Sequence, residues 1–138
     1  MCVEFFVDEN IGQSLVDGLR AIGYDNIEHC LETFEPGTPD EEWLEYIGQE
    51  RIVLITKDKR IRKNILEKQT IREYGIVAFF LGGSKQSTKQ IALQLQHAWP
   101  KMENQAKKQL KTGVAGAFII RAQGKTIVRI DIEQRFFN

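Results

Sequence analysis

The chain has 138 residues, with nineteen Lys plus Arg, nineteen Asp plus Glu and a formal net charge of zero. That length suits one domain, here expected over residues 1–138, able to bury about 68–70 % of its unfolded surface in a single core. Abundant apolar residues and only three Pro exclude a disordered or collagen-like chain, two Cys make no disulfide framework, and no apolar run spans a membrane, so a reducing cytoplasm is the expected location.

Residues 3–7 (VEFFV) are a short run of β-formers and predict a first strand that ends at Asp8. Residues 11–22 follow with helical spacing, Ile11, Leu15, Leu19 and Ile22 sharing one face, and Gly23 is the C-cap candidate. Residues 26–30 predict a second short strand. Residues 32–39 (ETFEPGTP) hold two Pro and a Gly and predict a loop. Thr38 or Asp40 is the expected cap of a helix reaching about Gln49, with Trp43, Leu44 and Ile47 inward. Residues 51–56 (RIVLIT) are nearly continuous in apolar character, as in a central parallel strand covered on both faces, and they end at Lys57-Asp58.

A basic helical stretch is expected over residues 60–74, then a buried strand over 76–81 (IVAFFL) and a turn at Gly82-Gly83-Ser84. Residues 87–99 predict a helix with Ile91, Leu95 and Ala98 inward, and Pro100 is suited to start its continuation to about Lys111. Residues 113–116 mark a seam. The end predicts a β-hairpin, residues 117–121 and 126–130 around a turn at Gln123-Gly124. Strands alternating with helices make this an α/β fold with a mainly parallel sheet, a core over about 3–112 and a hairpin over about 117–131.

Ligands of such sheets sit beyond the carboxyl ends of the strands. Asp8, Glu9 and Asn10 stand after the first strand, Asp40, Glu41 and Glu42 after the second strand and its loop, and Asp58 after the third. An acid at a helix N-terminus also caps it and complements its dipole, which accounts for any one of these alone. Carboxylates from three junctions at one sheet edge repel one another unless a cation intervenes. Mg²⁺ or Mn²⁺, bound by oxygen ligands, is the expected one.

The zero net charge conceals an asymmetry. Residues 1–50 hold thirteen acids and one base, Arg20, whereas residues 51–138 hold six acids and eighteen bases, so the halves carry −12 and +12. Segregated solvated faces, halves that attract each other, or an acidic pocket beside a basic track would each have this pattern. The basic run begins at the third junction, with Lys57, Arg60, Arg62 and Lys63 around Asp58. A polyanion whose phosphate reaches the acids would lie along these side chains. No aromatic residues interleave with them, so a base-stacking platform has little support there.

The succession FFVDEN, TPDEEWL and VLITKDKRIRKN resembles the PIN-domain superfamily, closest to compact bacterial PIN-like proteins grouped with VapC-type toxins. The resemblance implies a three-layer sandwich, a carboxylate cluster holding Mg²⁺ or Mn²⁺, and metal-dependent cleavage of single-stranded RNA. Toxin members pair with an antitoxin, and a homodimer is also compatible. Asp8, Asp40 and Asp58 match the family's acids, with Glu41 adjacent to the second. Lys57, Arg60, Arg62 and Lys63 become the expected contacts to RNA, and Asn10, Glu9 and Glu67 the supporting residues. Many relatives carry a further acid two positions beyond the last Asp, where this chain has Arg60. That departure leaves open a binding or regulatory module without catalysis.

FFVDEN is also similar to the start of a phosphoacceptor receiver domain. That family needs a later strand ending in Lys, which is not found before the hairpin. His29 and His97 are too far apart in sequence to read as a metal-spaced pair, and Cys2 and Cys30 read as small buried groups. No G-x-S-x-G, Walker or G-x-G-x-x-G pattern occurs.

Overall fold

A computed structural model describes residues 3–57, 65–83 and 85–130, with residues 65–67 described by backbone alone. Its elements are β1 (Phe5–Val7), α1 (Gln13–Ala21), β2 (Ile27–His29), a 3₁₀ turn (Cys30–Glu32), α2 (Asp40–Glu50), β3 (Val53–Thr56), α3 (Ile65–Glu73), β4 (Val77–Leu81), α4 (Thr88–Thr112), β5 (Gly116–Ile120), a second 3₁₀ turn (Ala122–Gly124) and β6 (Ile127–Ile130). The six strands form one sheet in the order β2-β1-β3-β4-β5-β6. Every pairing is parallel except β5 with β6. This is the α/β architecture that the alternating pattern predicts.

Strand alternation sends side chains to two cores. Phe5, Val7, Val53, Ile55, Val77 and Phe79 pack with Leu15, Val16 and Leu19 of α1 and with Ile91, Leu95 and Trp99 of α4. Phe6, Leu54, Ala78 and Phe80 face the other way, against Trp43, Leu44 and Ile47 of α2 and Ile71 of α3. Aromatic rings anchor both sides: Phe6 stacks on Trp43 at 5.5 Å, and Phe5 lies 4.7 Å from Trp99. Both tryptophans are therefore core residues. Because α1 and α2 cover opposite faces, the chain reverses direction at β1, and the crevice beyond β1 and β3 is the topological switch point.

Several local expectations need correction. Ile22 is not on the inner face of α1. The helix ends at Ala21, Ile22 is its C-cap, and Gly23 at φ +105° turns the chain away, leaving Ile22 exposed while Val16 fills the face. Neither Thr38 nor Asp40 caps α2. Pro39 occupies the N-cap, Thr38 spends its hydroxyl on the Glu35 carbonyl, and Asp40 is the first helical residue. Pro100 does not begin a separate segment, since α4 runs through it. Ser87 is the N-cap of α4 and forms a reciprocal box with Gln90, and Gly113 at φ +71° ends the helix. The closing hairpin extends the sheet: β5 joins β4 in parallel and β6 folds back on β5.

Candidate active site

Asp8 follows β1 directly, and Thr56 is the last residue of β3. The parallel register Val7 to Ile55 makes them neighbours across the switch point. Both are buried, and the Thr56 hydroxyl donates to Asp8 Oδ2. The other carboxylate oxygen accepts the Asn10 backbone N–H at 3.1 Å, while the Asp8 carbonyl accepts from Ile11. This is an Asx turn, which fixes the acid at the point where the strand gives way to helix. Glu9 and the Asn10 side chain sit beside it on the surface.

Asp40 opens α2, half-buried, with Oδ1 accepting the Trp43 indole N–H at 3.1 Å. Glu41 and Glu42 are exposed on the same turn. The Cys30 thiol feels acids of both junctions. It is pushed up to about 11, first by burial and then by the fields of Glu9, Asp8, Asp40 and Glu28. Cys30 is buried, as its sequence reading held, and its thiol is neutral. His29 is fully buried and structural: Nε2 donates to the Ile11 carbonyl at 2.6 Å and Nδ1 accepts from Leu31 N–H at 3.0 Å.

Lys57 is exposed immediately after β3. Asp58, Arg60, Arg62 and Lys63 lie outside the described residues, as do Cys2 and Ser84. Glu67 belongs to α3, without a described side chain. Among the described residues, no three His, Cys, Asp or Glu side chains gather as a metal-holding group. Lys68, within the stretch expected as a basic helix, is only 3 % exposed. Buried ammonium groups are rare unless paired. Its spacing of three from Ile71, on one helix face, was the available signal.

A model of the PIN like domain matches residues 3–83, the stretch from β1 through β4 that carries the Asp8–Thr56 pair. The chain belongs to the PIN-like domain family. No curated protein and no solved structure matches it. The sheet order β2-β1-β3-β4-β5 is shared with flavodoxin-like folds, so the family match, rather than topology, favours PIN-like over receiver. PIN-like domains belong to a nuclease-type superfamily and generally depend on divalent metal. The donors of Asp8 and Asp40 are hard carboxylate oxygens, the kind that such an ion takes. Among the described residues, no helix is long and apolar enough to cross a membrane.

Proposed function

We propose that this PIN-like domain is a metal-dependent endoribonuclease that cleaves single-stranded RNA, acting as the toxin of a toxin–antitoxin pair. The observation that carries this reading is the buried Asp8 carboxylate held by Thr56 at the switch point, two residues before Asp58 in the chain. Asp8, Asp40 and Asp58, with Glu41 beside them, would hold Mg²⁺ or Mn²⁺. When bound, such an ion lowers the pKa of its water and stabilises charge on the phosphodiester. Thr56 and the Asn10 N–H each hold one Asp8 oxygen and so orient the carboxylate. Lys57, Arg60, Arg62 and Lys63 supply positive charge for the RNA backbone.

The test is cleavage of single-stranded RNA with added Mg²⁺ or Mn²⁺. Asp8→Asn and Asp58→Asn should each abolish the metal-stimulated activity while circular dichroism stays native. Undiminished cleavage in either variant overturns the assignment. A short neighbouring reading frame encoding a DNA-binding protein would support the toxin role.

Arg60 favours a second reading, a binding module whose acid cluster is too sparse for catalysis. Calorimetric titration of the full chain separates the two. Heat of binding from Mg²⁺ or Mn²⁺ in the millimolar range supports the nuclease, and its absence supports the module.

A further inference from the structure

A cavity of about 380 Å³ lies at the carboxyl ends of β4 and β5, where the first three turns of α4 meet the Ala122–Gly124 turn. Its size is within the range of about 300–1,000 Å³ usual for small-molecule sites. It opens at the same sheet edge as Asp8. From the strand order β1-β3-β4-β5 it stands about 10–14 Å to the side. Four glutamines line it, Gln86, Gln90, Gln94 and Gln123, together with Lys85 and His97. Leu93, 44 % exposed, and Ala122 add apolar surface, and no Asp or Glu is among the described lining residues.

Three observations single it out. Gln94 is fully buried, and its Nε2 is shared among the Gly82, Ile120 and Arg121 carbonyls at 2.9–3.0 Å. Those bonds fix the amide's orientation, and its Oε1 is buried without a hydrogen-bond partner. A buried acceptor left unmade is costly, and a ligand donor would recover that cost. Next, two non-glycine residues of this wall, Lys85 at φ +44° and Gln123 at φ +73°, are in the left-handed region. Strain of this kind gathers at ligand sites. Finally, His97 Nδ1 donates to the Gln123 carbonyl at 2.9 Å and so braces that strained turn from α4.

Planar amides offering both donors and acceptors, apolar surface for a ring face, one cation and no carboxylate match a nucleotide better than a metal or an acidic peptide. Glutamine amides pair with base edges, and bases of single-stranded RNA are splayed out to be read in this way. We propose that the cavity receives one nucleobase of the RNA, a base N–H donating to Gln94 Oε1 and Lys85 meeting the phosphate of that nucleotide. Gln94 is itself among the residues that line the cavity, beside Gln90 of the same helix. The inference rests on the nuclease reading for its substrate and adds to it a base preference.

The test uses the full chain, isotope-labelled, titrated with each of the four nucleoside 5′-monophosphates in the absence of metal. At least one should shift the amides of Gly83, Gln94 and Gln123 in a saturable way. Lys85→Ala and Gln90→Ala should weaken that binding about fivefold each, the loss of one polar contact. Gln94→Met should remove it; should that variant fail to fold, the two rim variants decide the matter. No shift at these amides with any of the four overturns the proposal, as do shifts confined to the residues around Asp8. Binding by a chain that cleaves no RNA upholds the subsite and refutes the nuclease. Cleavage without base preference and without mononucleotide binding refutes the subsite and leaves the nuclease standing.

Discussion

Arg20 is the one base among the first fifty residues, and it ties α1 to β2 and the turn that follows. Its guanidinium meets both Glu32 oxygens, at 2.5 and 2.8 Å, and donates to the Ile27 carbonyl at 2.7 Å. Glu32 also accepts the His29 N–H at 2.8 Å, closing the turn on which Cys30 sits. The Arg20 bond, aided by His29, brings the Glu32 carboxyl from 4.5 down to about 2, against a smaller opposing effect of burial. A carboxyl depressed in the folded state contributes stability above its unfolded value and loses it as pH falls through the folded one. Stability should therefore decline between about pH 4.5 and pH 2, and Glu32→Gln should flatten that decline in urea unfolding. An equal decline in the variant would assign acid sensitivity elsewhere. Both partners are about one-third exposed, so solvent screening keeps the effect modest. Thr56 poses a different residue-scale question. Thr56→Val keeps the shape and removes the hydroxyl that holds Asp8. On the metal reading, affinity for Mg²⁺ or Mn²⁺ should fall about 10–100-fold, as for other outer-shell partners. Unchanged titration heats would show that the Asp8–Thr56 bond serves the fold alone.

At the scale of elements, one close approach of α2 to the end of α3 depends on a missing side chain. A Cβ on Gly48 of α2 would stand 2.4 Å from Tyr74 Cβ, just beyond α3. Alanine gains about 1 kcal/mol of helix propensity over glycine, but overpacking costs about 1–3 kcal/mol. The clash is with a Cβ rather than a flexible tip, so it should win. Gly48→Ala is expected to destabilise by about 1–2 kcal/mol in chemical denaturation. A gain in stability would mean that α2 and α3 part easily. Nothing in the sequence marks Gly48 as a contact. This is general to the chain. Runs such as RIVLIT and IVAFFL, and the face of Trp43, Leu44 and Ile47, were readable because burial imposes a local period. The acids Asp8 and Asp40 were readable because the ends of elements are readable. What escaped depends on partners distant in sequence. The exposure of Ile22 follows from where α1 stops, the burial of Lys68 from what α3 packs on, and the place of Gln94 from carbonyls at the ends of two strands. A glutamine in the middle of an amphipathic helix carries no local sign that three backbone oxygens await it.

For the whole molecule, the charge split has to be weighed against its simplest explanation, two halves that attract each other. The Arg20–Glu32 pair lies wholly within the acidic half and does nothing to join them. Lys57 stands exposed next to Thr56, the residue that holds Asp8, which is where a phosphate backbone approaching that acid would need a cation. The two explanations differ in how they respond to salt. A basic track that neutralises phosphates releases counterions on binding, and the logarithm of affinity for a single strand falls with that of salt at about −0.7 per phosphate contacted. Replacing Lys57, Arg62 and Lys63 together by Ala removes three such contacts. The salt slope for a single-stranded RNA, followed by fluorescence anisotropy with a chelator present to prevent cleavage, should become shallower by about 2. Fold stability should change little, because ion pairs at a protein surface contribute little to it. If the bases instead serve to hold the halves together, the same triple variant should leave the slope intact and lower the denaturation midpoint, most strongly at low salt, where attraction between the halves is least screened.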